Sequence, residues 1–176
     1  VLAALVALVI AATVTSYYQV EPDEVGVIRR LGRYVGTSEP GPHFRLPLGI
    51  DRVQKVPVQR QLKMEFGFRT SRPAQRTEYA ADDANVRAEA VMLTGDLNVA
   101  VVEWIVQYRI EDPIRYLFRV RDTRQTIRDI SEAVMRRVVG NRLGSDVLTV
   151  GRVAVSSEVK EEMQKILTAY DAGVRL

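Results

Sequence analysis

With 176 residues, the chain is long enough for one domain or two small ones. It has no cysteine and one histidine, which excludes disulfides, thiolate catalysis and cysteine-ligated metals and argues against a histidine metal site. The net charge of +3 is too small by itself to argue for a nucleic-acid partner.

Val1 to Val20 carries no charged residue, and the stretch to Val14 is almost wholly Val, Leu, Ile and Ala. A spanning helix needs roughly 20 apolar residues, at about 1.5 Å each, to cross a core of about 30 Å. The composition therefore predicts a transmembrane helix over residues 1–19, with Leu2, Leu5, Leu8, Ile10 and Val14 in the lipid and Tyr17 and Tyr18 in an interfacial aromatic belt. A buried core helix and a cleaved signal peptide are the alternatives. The chain begins inside the apolar run and not on Met, so both ends are expected to be cuts from a longer protein.

Residues 20–69 are expected to form a small, mostly β subdomain next to the membrane. Val25, Val27 and Leu31 alternate with Gly26 and Arg30, and a tight turn is expected at Gly32. Residues 40–51 hold three prolines and two glycines, which exclude a central strand or a helix, yet they are apolar. Phe44, Leu46, Leu48 and Ile50 are thus candidates for a membrane-interface loop, with a core plug as the alternative. Arginine and lysine outnumber acids in this half, which suits anionic headgroups or an ordinary solvated sheet face. His43 reads as a loop hydrogen-bonder. Residues 70–83 read as a connecting loop; the adjacent Asp82 and Asp83 lie in it without further ligands or a rigid scaffold.

Residues 84–176 are expected to form a second α+β subdomain. Val102, Trp104, Val106, Tyr108 and Ile110 alternate with Glu103, Gln107 and Arg109, the mark of a strand with one buried face. Thr94-Gly95-Asp96 is expected to turn this strand back on an apolar run at residues 88–93. Asp112-Pro113 should end the strand and open a short helix. Asp122 is placed to cap a helix carrying Ile127, Ile130, Val134 and Val138 on one face. Thr149 is placed to cap a last helix with a stripe of Val155, Val159, Met163, Ile166 and Tyr170. Residues 174–176 look like a strand cut short. The mixed charges at Arg136, Arg137, Glu161 and Glu162 are candidates for contacts between copies as well as within one.

Leu93-Thr94-Gly95-Asp96-Leu97-Asn98-Val99, Val106-Gln107-Tyr108-Arg109-Ile110, Asp112-Pro113, Tyr116-Leu117-Phe118, Val138-Val139-Gly140 and Asp146-Val147-Leu148-Thr149 resemble the HflK branch of the stomatin/prohibitin/flotillin/HflK-HflC (SPFH, band 7) superfamily. Thr123 stands where that pattern has proline, and two residues are missing between Pro42 and His43. The resemblance implies an α+β fold: an N-terminal transmembrane helix, then an SPFH/band 7 domain of two small α/β subdomains, truncated before coiled-coil helices. It implies a non-enzymatic scaffold without cofactor or nucleic acid, in the bacterial inner membrane, single-pass, with its folded part in the periplasm. It further implies contact with lipid, assembly with HflC and other copies into a large ring or cage, and regulation of the ATP-dependent membrane protease FtsH. A stomatin-like organiser of membrane microdomains, and a hydrolase built on Asp82 and Asp83, are the competing readings.

The anchor is directly testable. Leu8→Arg should cost about 2.5–3.5 kcal/mol of insertion and make the protein extractable from membranes by carbonate; full carbonate resistance would rule out a spanning helix.

Overall fold

The computed structural model describes residues 16–47, 49–69, 84–149 and 151–176. They fall into two compact units. The first comprises the described residues up to Arg60 with Ile110–Ile114, and the second Gln61–Arg109 with Arg115–Leu176.

The first unit is built from five strands: β1 (Tyr17–Val20), β2 (Glu24–Arg30), β3 (Arg33–Ser38), β4 (Gly41–Phe44) and β5 (Asp51–Pro57). β2 lies between β3 and β5, antiparallel to both, while β1 pairs only with β4. The β2–β3 turn is the expected one. Leu31 and Gly32 both have positive φ, 49° and 88°, as a two-residue turn of the mirror-image type requires. Val20, Val27 and Val56 form the buried centre. The expected helix over residues 1–19 lies outside the described residues up to position 15. Beyond that point it is corrected: Tyr17 and Tyr18 belong to a strand, because alternating side chains pair them with Phe44 and His43. Tyr18 donates its hydroxyl to buried Ser38 Oγ at 3.1 Å, which makes it a structural residue of the unit. Among the described residues, no helix is long and apolar enough to cross a membrane.

The second unit begins earlier than the sequence suggests. β6 (Leu62–Phe66) does not join the first sheets but pairs antiparallel with β9 (Trp104–Ile110), and β10 (Val174–Arg175) lies on the other side of β9. The reason lies in side-chain matching: Leu62, Met64 and Phe66 face Tyr108, Val106 and Trp104 on one buried surface. The expected second subdomain opens, after the loop, with a helix α1 (Ala84–Ala90). Its alanines, arginine and glutamate favour helix, and Val86 and Ala90 bury one face. The expected hairpin is likewise shifted. β7 (Val91–Leu93) pairs with β8 (Val99–Val101), and β9 starts afresh in a different sheet after residues 102–103.

Four helices follow: α2 (Pro113–Phe118), α3 (Thr123–Gly140), α4 (Gly144–Leu148) and α5 (Arg152–Ala169). Asp122 caps α3 as expected, accepting from the Gln125 N–H at 3.0 Å. Ile127, Ile130, Val134 and Val138 are buried along it. Thr149 does not cap α5; its hydroxyl turns back to the Ser145 carbonyl at 2.6 Å, and Gly151 occupies the cap position. The α5 stripe runs through Val155, Val159, Met163 and Leu167, not through Ile166 and Tyr170, because the strict i, i+4 spacing is what faces α3.

The Trp104 ring stacks on Phe66 at 4.6 Å with 5° between planes, and Arg128 lies over the other Phe66 face at 4.7 Å. Phe66 is fully buried. Phe66→Ala should cost about 3–5 kcal/mol of unfolding free energy, read as a shifted midpoint in urea.

Candidate membrane-facing and partner-facing surfaces

In the first unit, several large apolar side chains are exposed. Leu31 and Phe44 are 82% and 80% exposed, and Tyr17 and Leu46 are also exposed. One buried carboxylate holds this arrangement. Asp51 accepts from Arg30 Nε at 2.8 Å and Arg30 NH2 at 3.1 Å, and Asp51 Oδ2 also takes the Leu46 N–H at 3.1 Å. The Leu31 N–H donates to the Ile50 carbonyl at 3.0 Å. The loop after β4 is thereby tied to the β2–β3 turn, which brings Leu31 beside the segment carrying Leu46 and Ile50. Tyr17 meets Phe44 edge to face at 6.0 Å.

Of the four loop candidates, Phe44 and Leu46 are exposed, Ile50 is half-buried, and Leu48 lies outside the described residues. Leu31 escapes sequence reasoning because it sits in a turn. The available signal was a leucine where a turn of this type favours Asn or Gly. His43 is a loop hydrogen-bonder: Nε2 lies 2.6 Å from the Glu39 carbonyl, and the ring stacks on Tyr18. Not every arginine of this half is available to headgroups. Arg30 holds Asp51, and Arg60 pairs with Asp23 and Glu21.

In the second unit, three of the four charged assembly candidates, Arg136, Arg137 and Glu162, are engaged within the chain. Arg137 pairs with Glu162, and Arg142 with Glu158, joining α3 and the segment after it to α5. Arg136 donates to the carbonyls of Val91 at 3.2 Å and Ala88 at 3.3 Å, closing the end of α1 and the start of β7. Glu161 stays at the edge of a shallow groove with Glu158, Glu162 and Lys165. Asp82 and Asp83 lie outside the described residues. Among the described residues no group of three His, Asp or Glu side chains is placed to hold a metal ion.

The Thr-Gly-Asp turn acts as a clamp. Asp96 accepts from Thr94 Oγ1, from Asn98 Nδ2 at 2.7 Å and from the Gly144 N–H at 3.1 Å. The hydroxyl of Thr94, then the Gly144 N–H, hold the Asp96 carboxyl below its ordinary range. The Gly95 N–H donates to the Arg142 carbonyl at 2.8 Å, and a Cβ at Gly95 would stand 3.0 Å from the Gly140 carbonyl oxygen. Only glycine allows that approach without a shift.

A second groove, of about 780 Å³, is lined by Val101, Ile105, Leu148, Val155, Val159 and Met163 among others. Burial pushes the nearby-strand hydroxyl of Tyr108 up to about 12, so it stays neutral and serves as core.

The SPFH domain / Band 7 family pattern matches residues 18–175. Over 157 residues the chain is 43% identical to "Protein HflK" of Treponema pallidum (strain Nichols), covering 88% of this chain and 47% of that protein. It is 34% identical to "Protein HflK" of Borreliella burgdorferi, covering 92% and 50%. It is 30% identical to "Modulator of FtsH protease HflK" of Escherichia coli (strain K12), covering 97% and 35%. The chain thus spans half or less of the length of these curated relatives.

The Asp51 clamp generates a pH prediction. The Arg30 guanidinium, then the Leu46 N–H, hold the Asp51 carboxyl below its ordinary 3.8. A depressed folded value means that its stabilisation is present above pH 3.8 and lost as pH falls through the folded value. Asp51→Asn should therefore melt below the parent protein at pH 7, with the gap closing under about pH 4; a gap independent of pH would assign the effect to shape alone.

Proposed function

Because the chain belongs to the SPFH domain / Band 7 family, we propose that it is the folded part of a membrane-anchored scaffold that regulates the ATP-dependent protease FtsH. The observation that carries this reading is the match over residues 18–175, together with the name of its E. coli relative, "Modulator of FtsH protease HflK". In this proposal, residues before Tyr17 form a single membrane span of the bacterial inner membrane. The folded units lie in the periplasm, and the protein assembles with HflC and with further copies of itself into a large ring or cage. It performs no chemistry. Its effect on the protease comes from position.

The first unit supports the membrane side of this reading. Leu31, Phe44 and Leu46 are exposed apolar side chains, and Arg30 and Asp51 fix the segment that carries Leu46. Apolar side chains at the level of the acyl boundary gain from leaving water, while each basic group near an anionic surface contributes about 1 kcal/mol. The same feature favours the second reading, a stomatin-like organiser of lipid microdomains without a protease.

Gentle detergent extraction of the full-length protein, followed by mass spectrometry of what accompanies it, separates the two. Recovery of FtsH and an HflC protein is expected. Recovery of lipid and copies of the chain without FtsH would support the organiser instead.

A further inference from the structure

Adjacent rungs of the β2–β5 ladder treat charge in opposite ways. The last rung sets Arg30 against Asp51, and the two side chains pair at 2.8 Å. The rung before it sets Arg29 against Arg52. Residues directly opposite on antiparallel strands point to the same face, with Cβ atoms about 4.5–5.5 Å apart, and like charges placed so repel each other. Successive rungs alternate faces, so Asp51 does not share the face of Arg29 and Arg52. The ladder partners that do share it are uncharged. Tyr34 of β3 stands opposite Arg29 on its other side, and Gln54 and Thr37 stand opposite Val27, two residues further in. A row of two arginines and a tyrosine, with no acid among these partners, therefore crosses the sheet beside the β2–β3 turn.

Arg29 supplies a second, independent observation. Its side chain is half-buried, whereas Arg52 is exposed. Its Nε is buried and has no hydrogen-bond partner among the described residues. Buried N–H groups are nearly always paired, and a donor left without an acceptor calls for one from outside the chain. A guanidinium edge, Nε with one Nη, can hold two oxygens of a single anion. Arg30 does this with Asp51 one rung away. The β2–β3 register also shifts between Ile28 and Arg29, a bulge of the kind that re-aims side chains.

We infer that Arg29 and Arg52 form a binding site for one phosphate group. A phosphate neutralises both cations and offers enough oxygens for two guanidinium groups, where a single carboxylate offers two oxygens and one charge. The headgroup phosphate of an anionic lipid is the favoured source. Leu31, two residues beyond Arg29, is 82% exposed, and exposed Leu46 is tied by its N–H to Asp51, the residue before Arg52. Apolar side chains beside a phosphate site match the order of layers at a bilayer surface, acyl chains below and phosphate above. Free inorganic phosphate has the same chemistry without the acyl chains. The lipid source rests on the membrane-scaffold reading; the site itself does not.

Calorimetric titration of the full-length protein in maltoside micelles, with dihexanoyl phosphatidylglycerol and separately with inorganic phosphate, tests the site. Saturable binding of the lipid is expected. Arg52→Gln should weaken it about tenfold, and Arg29→Lys, which keeps the charge and loses the forked edge, about as much. Arg33→Gln removes the same charge from the neighbouring rung, on the other face, and should leave the affinity unchanged. Inorganic phosphate binding as tightly as the lipid, and weakened by the same two variants, would keep the site and make free phosphate its source. An equal loss in Arg33→Gln, or undiminished binding by Arg52→Gln and Arg29→Lys, would reduce the attraction to diffuse charge and overturn the inference. Failure of both probes to bind saturably would overturn it as well. Absence of FtsH from the extracted protein would sink the protease reading and leave the titration intact.

Discussion

A half-buried indole gains from a partner for its N–H, and the centre of the second unit is arranged around that bond. Trp104 Nε1 donates to Ser131 Oγ at 2.9 Å, and Ser131 is fully buried in α3. An unpaired group in its place would cost about 1–3 kcal/mol. The bond therefore fixes which side of β9 faces α3 and at what height. Phe66 stacks on the same indole and brings β6 into register. Arg128 covers Phe66 and reaches Glu89, which Arg69 also holds, so α1 and the end of β6 join the same cluster. One aromatic pair and one serine thus connect two strands and two helices.

The first unit depends on a polar counterpart. Its apolar centre is small, and Asp51 supplies order that three valines do not. A nearly buried carboxylate is tolerable only when its oxygens are occupied. Arg30 and the Leu46 N–H occupy them, and the segment carrying the exposed Leu46 is tied to the end of β2 as a result. The Arg30–Asp51 ion pair thus helps to position the exposed segment that carries Leu46.

The two units handle exposed apolar surface in the same way. Leu31 and Leu97 both occupy turn positions with left-handed backbone, and both are largely exposed. Each stands beside further aliphatic or aromatic side chains on a rigid strand. In both cases the left-handed backbone at an exposed leucine is left without packing that would offset it inside its own unit.

The sequence by itself determined whatever rests on local period and chemistry. The alternation from Trp104 to Ile110 stated which side chains of β9 are buried, and Asp122 was legible as a cap because its geometry involves three residues. The Thr-Gly-Asp motif marked a turn and carried the resemblance that the family match bears out. Tertiary structure alone decided which strands pair. Leu62–Phe66 alternates as well in one sheet as in another, and only the fit of Phe66 against Trp104 assigns it to β9. The same holds for the surfaces. Arg136 and Arg137 look free along a helix until α1, β7 and α5 arrive to engage them, and Val91, Leu93, Val99 and Val101 read as core until one face of their hairpin is left uncovered. Hydrophobicity is written in the residue, but what covers it depends on contacts between segments far apart in the chain.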